Sequence, residues 1–231
     1  MNHIHCKDVS LKMSGPAEHE KIIIDRVTVN FEAGRMVLLT GATGAGKSTF
    51  LHILAGLIRP VEGEIRVDGE RVSRWTSYHR DIWRRKLGII FQQPHLLAGL
   101  TVLENVCLPL IPRKINIRKI REKGFQALER MGLDHMAGDM VMSQSGGERQ
   151  RIAAARAIVS DPEMILADEP TAHQDLENVL RLIHILENYK KQNRLVIVAS
   201  HDPRLAESQR FDDCFRIENG RLERIQFSFP I

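Results

Sequence analysis

Residues 41–49 read Gly-Ala-Thr-Gly-Ala-Gly-Lys-Ser-Thr and follow directly on the apolar run Met36–Thr40. A loop of this length and glycine spacing lets successive backbone N–H groups turn inward around an anion. Lys47 supplies a point charge for β- and γ-phosphates, and the Ser48 hydroxyl is a ligand for magnesium. The stretch Thr49–Leu57 reads as a helix whose N-terminus adds a favourable dipole. Gly, Gly, Lys and Ser/Thr fall at these offsets by chance roughly one time in a hundred for such a chain, so the match carries weight. The expected nucleotide-binding residues are therefore Gly41, Ala42, Thr43, Gly44, Ala45, Gly46, Lys47, Ser48 and Thr49. The chain is predicted to bind a nucleoside triphosphate.

Composition sets the frame around this loop. At 231 residues the chain is long enough for one well-buried core without covalent staples. Its three cysteines, Cys6, Cys107 and Cys214, are far apart and fit no metal spacing, so free thiols in a reducing compartment are expected. No signal peptide is visible at the N-terminus, and no run of 18 apolar residues exists to span a bilayer. Any membrane link is expected to come from a partner chain. Net charge is +4, but Arg113, Lys114, Arg118, Lys119, Arg121 and Lys123 face only Glu122 within one short stretch. That stretch reads either as a solvated helix face or as a surface held near anionic headgroups. Nucleic acid is the unlikely partner, because no aromatic residues interleave the charges for base stacking.

Strand-like runs occur at Ile22–Ile24, Val27–Phe31, Met36–Thr40, Glu64–Val67, Leu87–Phe91, Met164–Ala167, Leu195–Ser200 and Cys214–Ile217. Several are continuous Val/Ile/Leu runs, the pattern of strands covered on both faces of a sheet. Asn219-Gly220 predicts a hairpin joining Cys214–Ile217 to Leu222–Ile225. Between Pro94 and about Arg156 the texture turns helical, with Ile117, Ile120, Leu128 and Met131 at helical spacing. The expected fold class is α/β: a P-loop NTPase core with a mainly parallel sheet, an N-terminal antiparallel β portion and an inserted helical subdomain. The whole chain, 1–231, is expected to form one domain, with the core at 1–93 and 157–231 and the helical subdomain at 94–156.

Two further segments carry chemistry. Met-Ile-Leu-Ala-Asp-Glu at 164–169 sets two acids at the end of a buried strand, where ligands gather in α/β sheets. Asp168 is placed to hold Mg²⁺ and Glu169 to polarise a water for attack on a γ-phosphate. Ser145, Gly146, Gly147 and Glu148 precede a strong helix former, so unsatisfied N–H groups at that helix start offer an anion site. A plain helix cap would have the same spacing.

Taken together, these segments resemble the nucleotide-binding subunit of an ATP-binding-cassette (ABC) transporter, and the resemblance covers essentially the whole chain. Gln92 after Phe91, Ser145-Gly146-Gly147, Asp168-Glu169 and His201 in Ala-Ser-His-Asp follow the phosphate loop in the family's order. The resemblance implies ATP and Mg²⁺ as ligands, with hydrolysis of ATP to ADP and phosphate. It implies that Gln92 contacts Mg²⁺ or the attacking water, that His201 hydrogen-bonds the γ-phosphate, and that Asp175 lies in the dimer-contact loop. Two copies would pair head to tail, each ATP lying between one copy's Lys47 loop and the other's Ser145 signature. Closure would drive transmembrane permease or mechanotransmitter subunits, placing the chain on the cytoplasmic face of the inner membrane.

Phe91-Gln92-Gln93-Pro94-His95-Leu96-Leu97 and Thr101-Val102-Leu103-Glu104-Asn105-Val106 are similar to the subgroup of lipoprotein release, macrolide efflux and the cell-division pair. Residues 94–112 would then receive the membrane partner's cytoplasmic helix, unless they form an ordinary amphipathic segment. The chain departs from the family at Gln144 and Gln174, where leucines are usual, and in lacking an adenine-stacking aromatic, whose place Met13 or Leu11 takes. A thioether contact is worth ~0.3–1.5 kcal/mol against ~1–3 for base–aromatic stacking, so weak discrimination of ATP over GTP is expected. A translation-type relative would carry two cassettes, a repair-type relative a long coiled coil, and a GTPase an Asn-Lys-x-Asp element. None of these occurs here.

Overall fold

The computed structural model describes residues 1, 3–14, 20–172 and 174–226. In chain order its first half holds β1 (His3–Ser14), β2 (Glu20–Glu32), β3 (Met36–Thr40), α1 (Lys47–Leu54), β4 (Glu62–Val67), β5 (Glu70–Arg71), α2 (Ser77–Arg84) and β6 (Leu87–Ile90). Then follow α3 (Val102–Cys107), α4 (Ile117–Arg130), α5 (Gly146–Ile158), β7 (Met164–Asp168), α6 (Leu176–Lys191), β8 (Leu195–Ala199), α7 (Pro203–Glu207), β9 (Asp213–Glu218) and β10 (Arg221–Ile225).

The strands form two sheets, an antiparallel one in the order β2-β1-β4-β5 and a six-stranded one in the order β10-β9-β3-β8-β7-β6. In the larger sheet β9, β3, β8, β7 and β6 run parallel, and only β10 returns antiparallel through the Asn219-Gly220 hairpin. The antiparallel sheet contains a strand that has no clear period in the sequence. β1 shifts register against β2 between Cys6 and Val9, again between Val9 and Leu11, and again between Leu11 and Lys12. Each irregularity moves the side-chain alternation to the other face, so no clean period of two survives. For the same reason Ile22–Ile24 and Val27–Phe31, which read as two runs, belong to the single strand β2.

The continuous apolar runs of the parallel strands arise because both faces are buried. Met36 and Leu38 of β3, Ile165 and Ala167 of β7, and Val196 and Val198 of β8 join the core shared with α3, α4, α5 and α6. Their alternates Val37 and Leu39, Met164 and Leu166, and Leu195 and Ile197 join the core shared with α1 and the antiparallel sheet. Period two thus sorts one run into two cores. Each fully buried Leu or Ile contributes about 1.5–3 kcal/mol, so these strands anchor the site at their ends. Cys6, Cys107 and Cys214 are buried free thiols.

The helical segment is tied down by caps and by one buried amide. Thr101 and Glu104 form a reciprocal capping box on α3, as do Ser145 and Glu148 on α5. Asn105, fully buried, accepts from the Leu97 N–H and donates to the carbonyls of Leu97 and Thr101. This holds the loop before α3 in place. On α4 Ile120 and Leu128 are buried, while Ile117 at the first position of the helix is exposed.

Gly124 is where α4 meets α3. A Cβ there would lie 2.5 Å from Cys107 Sγ and 2.7 Å from Leu103 Cδ1. Ala is the better helix former by ~1 kcal/mol, yet forced overpacking costs ~1–3 kcal/mol. Gly124→Ala is therefore expected to lower the urea midpoint of unfolding, and a raised midpoint would show that the helices part freely.

Candidate functional site

The phosphate loop links the end of β3 to α1, which starts at Lys47, two residues before the expected Thr49, and is closed by Gly56 at φ +68°. Two glycines make the loop possible. A Cβ on Gly41 would lie 2.4 Å from the Ile217 carbonyl oxygen, and one on Gly46 would lie 2.8 Å from that of Ile23. Both also hold positive φ, 144° and 107°, where side chains are strained. Thr43 and Gly44 at the loop's crest are exposed.

Lys47 is 6% exposed, and its ammonium lies across its own loop. Nζ donates to the carbonyl of Gly41 at 2.8 Å and to that of Ala42 at 3.2 Å, and stands 3.8 Å from Glu169 Oε1. The charge is thus buried with its donors satisfied, which keeps its desolvation tolerable.

Asp168 and Glu169 leave the end of β7 side by side but in different environments. Burial pushes the Asp168 carboxyl above the usual range, a hydrogen bond from Ser48 pulls it down, and the neighbouring Glu169 charge raises it further. Its Oδ1 is buried with no protein partner. An orphaned buried carboxylate oxygen beside a serine hydroxyl is a hard oxygen donor pair. Among the described residues no group of three His, Cys, Asp or Glu could hold a metal by itself. One carboxylate and one hydroxyl suit Mg²⁺, which takes few protein ligands and completes its shell with water and phosphate. The residues present therefore fit the ion.

Glu169 turns out of the strand at φ +44°, a left-handed conformation held by its N–H donating to the Ala199 carbonyl at 2.8 Å. Such a backbone costs on the order of 1–3 kcal/mol and persists only where neighbours dictate it. Here it aims the carboxylate at the loop after β8. Ser200 Oγ donates to Oε2 at 2.7 Å, the His201 N–H donates to Oε1 at 3.1 Å, and His201 Nδ1 lies 2.6 Å from Oε1. The acid is 6% exposed, while the His201 ring is 66% exposed. A buried carboxylate is thus held rigidly against an imidazole that reaches solvent.

The structure brings Lys47, Ser48, Asp168, Glu169 and His201 into one cluster at the ends of β3, β7 and β8. Beside it a groove of about 820 Å³ runs between Gly41–Ala45, Ser200–Pro203, Lys21–Ile23 and the β9–β10 turn. The other expected site residues sit on neighbouring elements. Gln92 is exposed in the loop after β6, where the adjacent Phe91 carbonyl accepts from Gln150 on α5 at 3.1 Å. Ser145 is exposed at the start of α5, its hydroxyl accepting the Glu148 N–H and donating to the Glu148 carboxylate; Gly146 and Gly147 open the helix. Asp175 caps α6 through the Asn178 N–H at 2.8 Å, and that bond holds its carboxyl below the usual range. Met13, 54% exposed on β1, pairs with Lys21, a residue of the groove; Leu11 is buried.

Sequence reasoning passed over Ser200, Thr171 and Asp202, although the first and last flank His201 directly. Small hydroxyls and a lone acid carry no spacing signal; only the contact with Glu169 and with the loop after it singles them out. Gln144 and Gln174, at the two departures from the family pattern, are both buried and turned onto their own loops. Gln144 Nε2 donates to the Met140 carbonyl and to Ser143 Oγ, and Gln174 Nε2 donates to the Pro170 carbonyl at 2.7 Å.

Residues 24–172 match the model of the family described as ABC transporter. The lipoprotein-releasing system ATP-binding protein LolD of Bordetella pertussis (strain Tohama I) is 38% identical over 215 residues, 90% of each chain. LolD of Bordetella parapertussis (strain 12822) matches to the same extent. Among solved structures, the dimeric bacterial ABC transporter cassette MJ0796 superposes with a TM-score of 0.90 at 30% identity, covering 96% of this chain and 99% of its own. A dimeric post-hydrolysis state of MJ0796 bound to ADP and Pi also gives 0.90, at 29% identity. With a phosphate loop, an acid pair and a histidine gathered at the ends of three parallel strands, and a family match over more than half its length, this chain belongs to the ABC transporter family.

Proposed function

We propose that this chain is the ATP-hydrolysing subunit of a membrane complex and works as a head-to-tail pair of copies. The observation that carries the reading is the Lys47–Glu169–His201 contact beside the phosphate loop, with the Ser145 helix start on a different element, the N-terminus of α5 in the helical segment. One copy therefore holds a loop for the phosphates and a base for water, and offers its second anion site elsewhere. That the similar cassette MJ0796 is dimeric supports the pairing of two copies.

In this reading Gly41–Thr49 cradle the phosphate chain and Lys47 exchanges its carbonyl partners for β- and γ-oxygens. Met13 touches the base from β1. Ser145, Gly146, Gly147 and Glu148 of one copy face the ATP of the other, and Asp175 lies at the contact between copies. Glu169 takes a proton from the attacking water as its oxygen bonds to the γ-phosphorus. The bond from that phosphorus to the bridging oxygen breaks, and ADP leaves with the electron pair. His201 presents its exposed ring edge to the γ-phosphate while Glu169 fixes the other edge. Ser48 and Asp168 would hold Mg²⁺, with Gln92 completing the site; when bound, the ion neutralises charge on the β- and γ-oxygens.

The segment 94–156 acts as the helical arm of a single domain whose core is 1–93 and 157–231. Its exposed surface around residues 94–112 receives the membrane subunits. Among the described residues no helix is long and apolar enough to cross a membrane. Attachment at the cytoplasmic face of the inner membrane runs through those partners. LolD, as a lipoprotein-releasing relative, supports lipoprotein release, export or mechanotransmission as the task. Capture of the tagged chain from detergent-solubilised membranes is expected to bring down an integral membrane protein, released or rearranged by ATP. Recovery of ribosomes or DNA in its place would overturn the reading.

A further inference from the structure

The residues just beyond His201 form a bracket that the hydrolytic reading does not use. Asp202, its side chain 12% exposed, is the hub. Its Oδ2 accepts from Thr171 Oγ1 at 2.8 Å and from Arg204 Nη2 at 2.7 Å, and its Oδ1 accepts from the Arg204 N–H at 3.0 Å and from Arg204 Nε at 2.9 Å. Asp202's own N–H donates to Ser200 Oγ, the hydroxyl that holds Glu169. Arg204 then reaches out of the bracket, its Nη1 donating to the Gln174 carbonyl at 3.2 Å. That carbonyl belongs to the peptide leading into Asp175.

Two loops are therefore riveted together. One, 200–204, carries His201; the other holds Thr171 and, at Gln174, the peptide that leads into Asp175. Thr171 is 1% exposed, and its hydroxyl has a carboxylate in place of water. Charge-assisted bonds to both oxygens of one carboxylate, from a guanidinium whose fork is rigid, resist sliding far better than a single neutral bond. A shift of His201 toward a γ-phosphate must carry Asp202, and through Arg204 the peptide at Gln174, in the same direction. The side-chain hydrogen bonds of Asp175 itself run to Asn178 on its own helix, while the positive charges of Arg151 and Arg204 act on its carboxylate from outside that helix.

We propose that Asp202 and Arg204 are positioning residues that couple occupancy of the His201 site to the contact made by Asp175 with the second copy. The inference rests on the paired reading above. The side-chain hydrogen bonds of Arg204 run to Asp202 and the Gln174 carbonyl, so it acts through the loops it holds.

The test separates the two ideas. In the Glu169→Gln background, ATP-driven pairing is followed by sedimentation velocity, and binding of a fluorescent ATP analogue is titrated alongside. The Glu169→Gln protein should pair with ATP and not without it; failure to pair would overturn both the paired reading and the coupling built on it. Adding Arg204→Met should leave analogue affinity within about twofold while raising the ATP concentration or protein concentration needed for pairing about tenfold or more, the size expected when one coupled contact is lost. Thr171→Val should act in the same direction and Thr171→Ser should restore pairing, since only the hydroxyl is at issue. Pairing unaffected by Arg204→Met and Thr171→Val, or analogue affinity and pairing lost in proportion, would overturn the coupling while leaving the paired reading intact.

Discussion

Replacing Glu169 by glutamine is expected to lower ATP turnover by roughly 10²–10⁴-fold, the range for loss of a positioned general base. The amide keeps an oxygen for the His201 N–H and is isosteric with the acid, so the left-handed turn at residue 169 and the fold around it should survive. What disappears is the capacity to take a proton from water. Nucleotide affinity should not fall, because the nearest cation, Lys47 at 3.8 Å, then loses a competitor for its charge and is freer to serve phosphate. The variant should accumulate as an ATP-bound pair. Phosphate release under saturating ATP, with light scattering on the same sample, checks both halves. Turnover equal to the parent would mean that another group activates water.

Lys47→Met should act on the opposite side of the cycle. The Lys47 ammonium donates to the carbonyls of Gly41 and Ala42 and partly balances Glu169. Charge-assisted bonds are worth about 1.5–3 kcal/mol each, so loss of two contacts to phosphate weakens binding by about 3 kcal/mol or more, roughly two orders of magnitude. Titration calorimetry with ATP reads this directly. Thermal stability should fall far less, because methionine fills the buried stem and the freed carbonyls sit at the rim of a hydrated loop. Affinity within a few-fold of the parent would remove Lys47 from the phosphate site.

Much of this molecule was legible before any coordinates. The parallel strands could be read because burial on both faces leaves unbroken apolar runs, and the phosphate loop because its glycines serve conformations and close approaches that no other residue meets. Asp168 and Glu169 stood out by ending such a run. β1 was not legible, since its register shifts at Cys6, Val9 and Leu11 erase the alternation that marks a strand. The helical spacing of Ile117, Ile120 and Leu128 was legible and all three lie on α4, but spacing reports a face and not its burial, and Ile117 is exposed.

The order of residues alone determined the chemistry available, a phosphate loop, an acid pair, a helix start rich in free N–H groups, and the fold class that could hold them. It could do so because these elements are local, each complete within about ten residues. Which side chains meet was decided only by the tertiary structure. The 2.6 Å contact of His201 with Glu169, the hydrogen bond of Ser48 to Asp168, and the bracket from Asp202 to the Gln174 peptide all join strands or loops some thirty or more residues apart in chain order. Such contacts depend on strand order in the sheet, β3-β8-β7, which no local pattern encodes.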